Sequence, residues 1–295
     1  MTTKFTNAVA HTSNKSNITD MNILGNIVLL TGGSAGIGRA TAEYLMRQGY
    51  TVYAASRRGS ENIEDPFSGG RIIGLCADVT VPESLEVAVS RIIEEQGELS
   101  AVICNAGNGI AGSVEDTSLE EARYQMETNF FGVLNTVKAC LPVFREQKHG
   151  KFIAISSVAA IAPIPFQGFY SASKSAIMLL MQSLSMEMKP YNVKCTCVLP
   201  GDVKTDFTAS RKYTEASQLP SSEYTEKMKV AVETMEKDEQ NGMKPIVIAK
   251  AIAKVLKQEN PSPVVVPHFM YKTLCLIMKL VPTRFKIWVI SKLYS

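Results

Sequence analysis

No run of eighteen apolar residues occurs anywhere in the 295-residue chain, which excludes an ordinary transmembrane helix. Histidine is scarce, and His11, His149 and His268 stand far apart. None of the six cysteines (Cys76, Cys104, Cys140, Cys195, Cys197, Cys275) forms a C-x-x-C pair, so no metal site is expected. Most of the cysteines fall in apolar patterns, as reduced core residues of a cytoplasmic protein do. Net charge is only +3, without a basic run or aromatic–basic interleaving, and nucleic acid is excluded as a partner. The first twenty residues, rich in Thr, Asn and Ser, lack a hydrophobic signal region. Residues 1–20 read as a disordered leader, an expression remnant or an upstream start, and the fold is expected from Met21.

What the chain does have is a glycine turn in a telling place. Ile27-Val28-Leu29-Leu30 reads as a strand, Thr31-Gly32-Gly33-Ser34-Ala35-Gly36-Ile37-Gly38 as a tight turn, and Arg39 to Gln48 as a helix. Strand, glycine turn and helix start together hold a phosphate: the backbone approaches closely, and N–H groups and the helix dipole face the negative charge. The spacing G-x-x-x-G-x-G is neither the common G-x-G-x-x-G fingerprint nor a P-loop, and alone it is also compatible with an ordinary turn.

Downstream, short unalternating apolar runs alternate with helical patterns. Strands are expected at 51–55, 71–76, 101–104, 151–155, 193–199 and 264–266. Helices are expected from Pro82 to Gln96, from Ser118 through Cys140 with Pro142 marking the end, from Phe169 to Met188, and from Pro245 to Gln258. This is the pattern of an α/β fold: one Rossmann-type, doubly wound parallel sheet of about seven strands, buried on both faces. The expected catalytic domain spans 21–267. Within it, 202–244 reads as a polar insertion without a clear strand, largely solvated from Glu223 to Asn241, and suited either to cover a pocket or to be a surface excursion. Residues 268–295 form an amphipathic C-terminal helical tail.

Tyr170 and Lys174 are four residues apart on one expected helix and share a face. An ammonium beside a phenol favours the phenolate, so this tyrosine is expected to titrate nearer neutrality than a free one. Ser157 closes the strand before that helix and is placed to hold a substrate oxygen beside the phenol.

Together these residues resemble the short-chain dehydrogenases/reductases, over about Gly25 to Gln258. Gly32, Ser34, Gly36, Ile37 and Gly38 lie in the matching cofactor turn, and Asn105-Ala106-Gly107 matches the family's N-A-G. Asn129, followed by Gly132, matches the helix asparagine of the family's proton relay. Ser157, Tyr170 and Lys174 match its catalytic serine and Y-x-x-x-K, and Pro200-Gly201-Asp202-Val203-Lys204-Thr205 its P-G-x-V-x-T against the nicotinamide. Cys104 stands where the family often has asparagine, a change of strand packing. The resemblance implies a nicotinamide-dependent interconversion of carbonyl and secondary alcohol. Tyr170 would move the proton, Ser157 orient the oxygen, Lys174 hold the ribose, and Asn129 complete the relay; Asp78 matches the adenine contact, and Pro200, Gly201, Val203 and Thr205 line the nicotinamide end.

At the end of the second strand, where a carboxylate would select NAD(H), stand Ser56, Arg57 and Arg58. Two guanidiniums favour NADP(H), unless they are merely solvated loop residues. The uncharged segment 158–169 suits a lipophilic substrate, a steroid, retinoid or other apolar ketone, and resembles the hydroxysteroid and retinol dehydrogenase branch. The alternative is a reductase of acyl-lipid carbonyls, of 3-ketosphinganine or acyl-dihydroxyacetone phosphate type, with basic residues meeting the head group; an alternative of another class is a non-catalytic NADP-binding sensor or scaffold. The tail holds Lys272, Lys279, Arg284, Lys286 and Lys292 among apolar residues and no acidic one. It either packs on the domain or lies peripherally on an anionic membrane surface. In the family the helices at 119–140 and 169–188 pair subunits, which implies a homodimer or homotetramer.

Overall fold

The computed structural model describes residues 25–294; the reading of 1–20 lies outside the described residues. In chain order the elements of the N-terminal half are β1 (Ile27–Thr31), α1 (Gly36–Met46), β2 (Thr51–Ser56), β3 (Ile63–Glu64), β4 (Arg71–Cys76), α2 (Pro82–Gln96), β5 (Ala101–Cys104), β6 (Ile110–Ala111), α3 (Leu119–Met126) and α4 (Gly132–Gln147). There follow β7 (Gly150–Ile155), α5 (Gly168–Glu187), β8 (Val193–Val198), β9 (Lys212–Tyr213), α6 (Thr225–Gln240), α7 (Pro245–Lys257), β10 (Val264–Val265), α8 (Phe269–Leu280) and α9 (Thr283–Leu293).

The main sheet has eight strands in the order β10-β8-β7-β5-β1-β2-β4-β3. All pair in parallel except the two-residue edge strand β3, which runs antiparallel to β4. The unalternating runs follow from burial on both faces. Along β1, Leu29 joins one core with Val102 and Phe152, packed under α2, α4 and α5. Its neighbours Val28 and Leu30 join the other, with Ala42 and Leu45 of α1 and Ile248 and Ile252 of α7. Sequence after β1 fills one half of the sheet and sequence from β5 fills the other. The switch point between β1 and β5 is therefore where their carboxyl ends open a crevice.

Local signals explain the helix ends. Ser118 and Glu121 form a reciprocal capping box at α3, and Gly97 stops α2 with φ +75°. Four expectations need correction. Pro142 lies inside α4 and does not end it; Cys140 and Phe144 bury into the core on either side, and that packing outweighs the one lost hydrogen bond. The helix stops only at Lys148, in the left-handed conformation. The expected single helix from Ser118 is also divided by a π-helical turn, Glu127–Phe131. The 202–244 segment does contain a strand, β9, pairing in parallel with β6. Its helix α6 is not largely solvated: Met228 and Val232 pack on Ala111 and Phe166. Buried Arg211 ties the segment together by pairing with Glu239, with Glu236 3.7 Å away.

Lys151 on β7 is 2% exposed and caps a helix from across the fold. Its ammonium donates to the carbonyls of Leu256 and Gln258, both at 2.5 Å, at the end of α7. Burial, with some repulsion from Lys194, lowers its pKa to about 8. Lys151→Ala leaves the buried Leu256 carbonyl and the part-buried Gln258 carbonyl without that donor. The expected cost is about 3 kcal/mol, or about 8 °C in melting temperature by calorimetry.

The tail packs on the domain through one side. Tyr271 donates to Asp202 at 2.6 Å, Lys286 donates to the Ile161 carbonyl at 3.2 Å, and Cys275, Met278 and Ile290 are buried. No helix of the described residues is long and apolar enough to cross a membrane.

Candidate active site

Residues at the switch point are locked together by the backbone they touch. The Asn105 side chain donates to the carbonyls of Thr31 and Gly32, at 3.1 and 3.0 Å, while the Thr31 hydroxyl accepts from the N–H groups of Asn105 and Ala106. This clamps the end of β5 to the end of β1. Gly32 (φ +68°) and Gly36 (φ +52°) take backbone conformations that side-chain-bearing residues avoid. No side chain caps the N-terminus of α1, and its first turn holds no acidic residue. Its N–H donors and dipole are left for an anion, so the turn fits a phosphate on its own geometry.

A cleft of about 1030 Å³ runs from this turn in both directions. At one end it is lined by Ser56, Arg57, Arg58 and Asp78, and at its middle by Gly32, Ser34, Gly36, Ile37, Asn105, Ala106 and Gly107. At the other end lie Ser157, Tyr170, Lys174, Pro200, Gly201, Val203 and Thr205. Two expected residues do not line it. Gly38 backs the turn, so close that a Cβ there would sit 2.0 Å from the Gly32 carbonyl oxygen. Asn129 is fully buried behind the cleft wall, in the π-helical turn, a device frequent at functional sites. Its side chain accepts from the Asn108 N–H at 2.9 Å and donates to Ser173 at 3.2 Å. Ser173 in turn donates to the Tyr170 carbonyl at 2.7 Å, which places Asn129 two hydrogen bonds from the Tyr170 backbone.

Around the phenol the electrostatics differ from expectation. Burial is the largest influence on Tyr170 and pushes it up to about 12; the Ser157 hydroxyl pulls the other way, Glu239 and Asp202 add to the rise, and Arg211 opposes it. Lys174 lies 5.6 Å from the ring centroid and donates to the Ile155 carbonyl at 3.0 Å. Burial lowers that lysine to about 8. Burial therefore outweighs the pull that Lys174 was expected to exert on the phenol. A desolvated ammonium does not repay the desolvation of the phenol, and Tyr170 stands as a neutral proton donor.

Sequence reasoning missed part of the wall. Phe207 comes from the 202–244 segment and sets its ring 5.9 Å from that of Tyr170. Asp202 and Glu239, from the same segment, also line the cleft. Of the uncharged segment 158–169, only Val158, Ile164 and Gln167 face it; Phe166 (φ +58°) turns beneath the segment to pack with Met228. The one available signal was the place of 202–244 directly after the carboxyl end of β8, where ligands bind.

Comparison with known proteins agrees with this arrangement. The sequence profile described as short chain dehydrogenase matches residues 26–216. The chain is 42% identical over 235 residues to a 3-ketodihydrosphingosine reductase of Bacteroides thetaiotaomicron, covering 80% of this chain and 85% of that protein. A short-chain dehydrogenase from Streptomyces avermitilis superposes with a TM-score of 0.71 at 26% identity, over 85% of this chain and 92% of that one. A short-chain dehydrogenase/reductase from Burkholderia phymatum, solved in complex with NAD, shares the fold with a TM-score of 0.73 at 19% identity, over 89% and 98%. With the motifs in order along the chain and gathered at one switch point, this protein belongs to the short-chain dehydrogenase/reductase family of oxidoreductases.

Proposed function

We propose that the protein is an NADP(H)-dependent reductase of the ketone of a long-chain amino-lipid, of the 3-ketodihydrosphingosine type. The observation that carries this reading is the chemistry of one cleft end: a neutral phenol beside Ser157, apolar walls from Val158, Ile164 and Phe207, and two carboxylates, Asp202 and Glu239. A 2-amino-3-keto lipid offers an ammonium to Asp202, which is bonded to the neutral Tyr271 hydroxyl while Glu239 already pairs with Arg211, and an alkyl chain to the walls. A steroid or retinoid, the other class suited to an uncharged pocket, has no cation to place there. The likeness to the Bacteroides thetaiotaomicron reductase supports the same substrate class. Head-group contact then falls to acidic residues, where the sequence suggested basic ones.

The nicotinamide supplies the hydride when bound. The chain's own residues do the rest. Ser157 holds the carbonyl oxygen and stabilises its developing charge, and Tyr170 delivers the proton to it. Lys174 and the Asn129 side chain both lie beside Gly107, where they would complete a proton relay from the phenol. Ser34, Gly36 and Ile37 hold the pyrophosphate, Asp78 meets the adenine, and Pro200, Gly201, Val203 and Thr205 flank the nicotinamide. Arg57 and Arg58, exposed at the cleft end with no carboxylate at the end of β2, hold the 2′-phosphate. Leu179 and Met186, exposed on α5, support pairing of subunits through that helix.

The test is NADPH consumption with 3-ketodihydrosphingosine, a deaminated 3-keto analogue, a ketosteroid and retinal. The amino-lipid is expected to be reduced fastest, with NADPH preferred over NADH and the preference falling about tenfold in Arg57→Ala. Faster turnover of the ketosteroid, or of the deaminated analogue, would sink the substrate reading. Equal use of NADH would sink the cofactor reading.

A further inference from the structure

The C-terminal tail makes contact with the domain through a narrow strip and presents the rest of its apolar surface outward. Among the described residues, ten of the twenty-one exposed large hydrophobic side chains lie in α8 and α9. On α8 the inward strip is Tyr271, Cys275 and Met278, at the spacing of one helix face. Phe269, Leu276 and Leu280 cover the opposite side, exposed by 81%, 59% and 77%. On α9, Phe285 and Trp288 stack on each other at 5.8 Å, both more than half exposed. Single exposed hydrophobics need no explanation, but a contiguous apolar face marks an interaction surface.

Charge decides what that surface meets. From Asn260 to Ser295 there are five basic residues and no acidic one, while the whole chain carries only +3. The remainder of the molecule is therefore net acidic, and positive charge is concentrated where the apolar surface is. On α8, Lys272 and Lys279 stand seven residues apart along the border between inward and outward faces. That arrangement lets an aliphatic stem follow the apolar face while the ammonium reaches a phosphate. A second copy of this chain docked face to face would set these basic clusters against each other. An anionic lipid surface meets both the charge and the apolar arc, with tryptophan and phenylalanine at the interface.

We infer that α8 and α9 form a monotopic docking surface for an anionic lipid bilayer, turning the mouth of the cleft toward the membrane. The orientation follows from the tail's own contacts. Tyr271 is bonded to Asp202, and Lys286 to the carbonyl of Ile161, three residues from Ile164; Asp202 and Ile164 both line the cleft. A lipid leaving the bilayer beside α8 and α9 enters the catalytic end without crossing bulk water. Docking at the tail is independent of which ketone the cleft reduces, so either can fail without the other.

Trp288 is the single tryptophan of the chain and reports on this surface directly. Full-length protein is mixed with vesicles of phosphatidylcholine and phosphatidylglycerol, and separately with vesicles of phosphatidylcholine alone. Expected are a blue shift of Trp288 emission and co-sedimentation with the anionic vesicles, about tenfold weaker on the neutral ones. The pair Leu276→Glu and Ile287→Glu, both at exposed positions, should abolish binding and leave NADPH affinity as in the parent. Equal affinity for both vesicles, or none for either, overturns the inference. So does an emission already blue-shifted in buffer and unmoved by lipid. Self-association that the same double variant abolishes would give the surface to a second copy instead.

Discussion

Tyr170→Phe lowers ketone reduction about a thousandfold while NADPH affinity stays close to that of the parent. The substitution removes one oxygen from a side chain packed against Phe207 and keeps the ring, so the cleft retains its shape. What disappears is the phenol that is hydrogen-bonded to the Ser157 hydroxyl at that end of the cleft. The size of the loss is that of a general acid. The pH profile separates this role from a structural one. Tyr170, at about 12, is protonated throughout the working range, so the donor itself does not limit the rate there. Lys174 is held down at about 8 by burial; its charge is present below that value and lost as pH rises through it. Reduction is therefore expected to be level below about pH 8 and to fall above it, as the cation near the phenol is neutralised. Tyr170→Phe should remove the rate without moving the melting temperature by more than a few degrees. Activity within tenfold of the parent would dismiss Tyr170 as the donor, and a rate still rising above about pH 9 would dismiss Lys174 as the group that must stay charged.

How much of this was readable beforehand depends on the range of each interaction. The capping box at Ser118, Pro82 opening α2 and Gly97 closing it are local, and each stands where the spacing put it. The glycine turn, Asn105, Ser157 and Tyr170 were legible for another reason: their residue types are demanded by backbone geometry or by chemistry, and they follow strand ends that the apolar runs reveal. What was not legible depends on partners distant in sequence. Pro142 normally ends a helix, and only Phe144 meeting Phe152 shows why α4 continues past it. The strand at Lys212–Tyr213 is two residues long and charged, and it exists because Ile110–Ala111 offers an edge. The phenol of Tyr170 illustrates the limit of spacing arguments. Four residues place Lys174 on the same face, but spacing carries no information on burial, and burial sets both pKa values. Phe207, Asp202 and Glu239 reach the cleft through the fold of the 202–244 segment, whose polar sequence looks like solvated surface until Arg211 is seen buried with Glu239.

Gly38→Ala is expected to weaken NADPH binding about a hundredfold and to leave the rest of the fold standing. Gly38 does not line the cleft and has an ordinary helical backbone, so neither ligand contact nor conformational freedom explains it. Its reason is space. A methyl group there would lie 2.0 Å from the Gly32 carbonyl oxygen and 2.6 Å from the Asn105 side-chain nitrogen. Both neighbours are committed, because Asn105 donates to that same carbonyl at 3.0 Å and to the Thr31 carbonyl at 3.1 Å. The methyl group meets backbone on one side and a doubly bonded amide on the other, and neither gives without breaking the clamp between β1 and β5. The least costly response is for the turn to move away from the start of α1. Overpacking of this kind costs about 3 kcal/mol, which is about a hundredfold in affinity when the strain falls on the binding-competent conformation. Titration of NADPH fluorescence measures the affinity, and far-UV circular dichroism with Trp288 emission checks that the sheet and the tail remain. NADPH affinity within threefold of the parent would mean that the turn absorbs a methyl group, and that the close contact of Gly38 with Gly32 does not shape the phosphate site. Loss of all secondary structure would instead mean that the turn and the sheet cannot be separated, and the hundredfold figure would belong to folding rather than to the site.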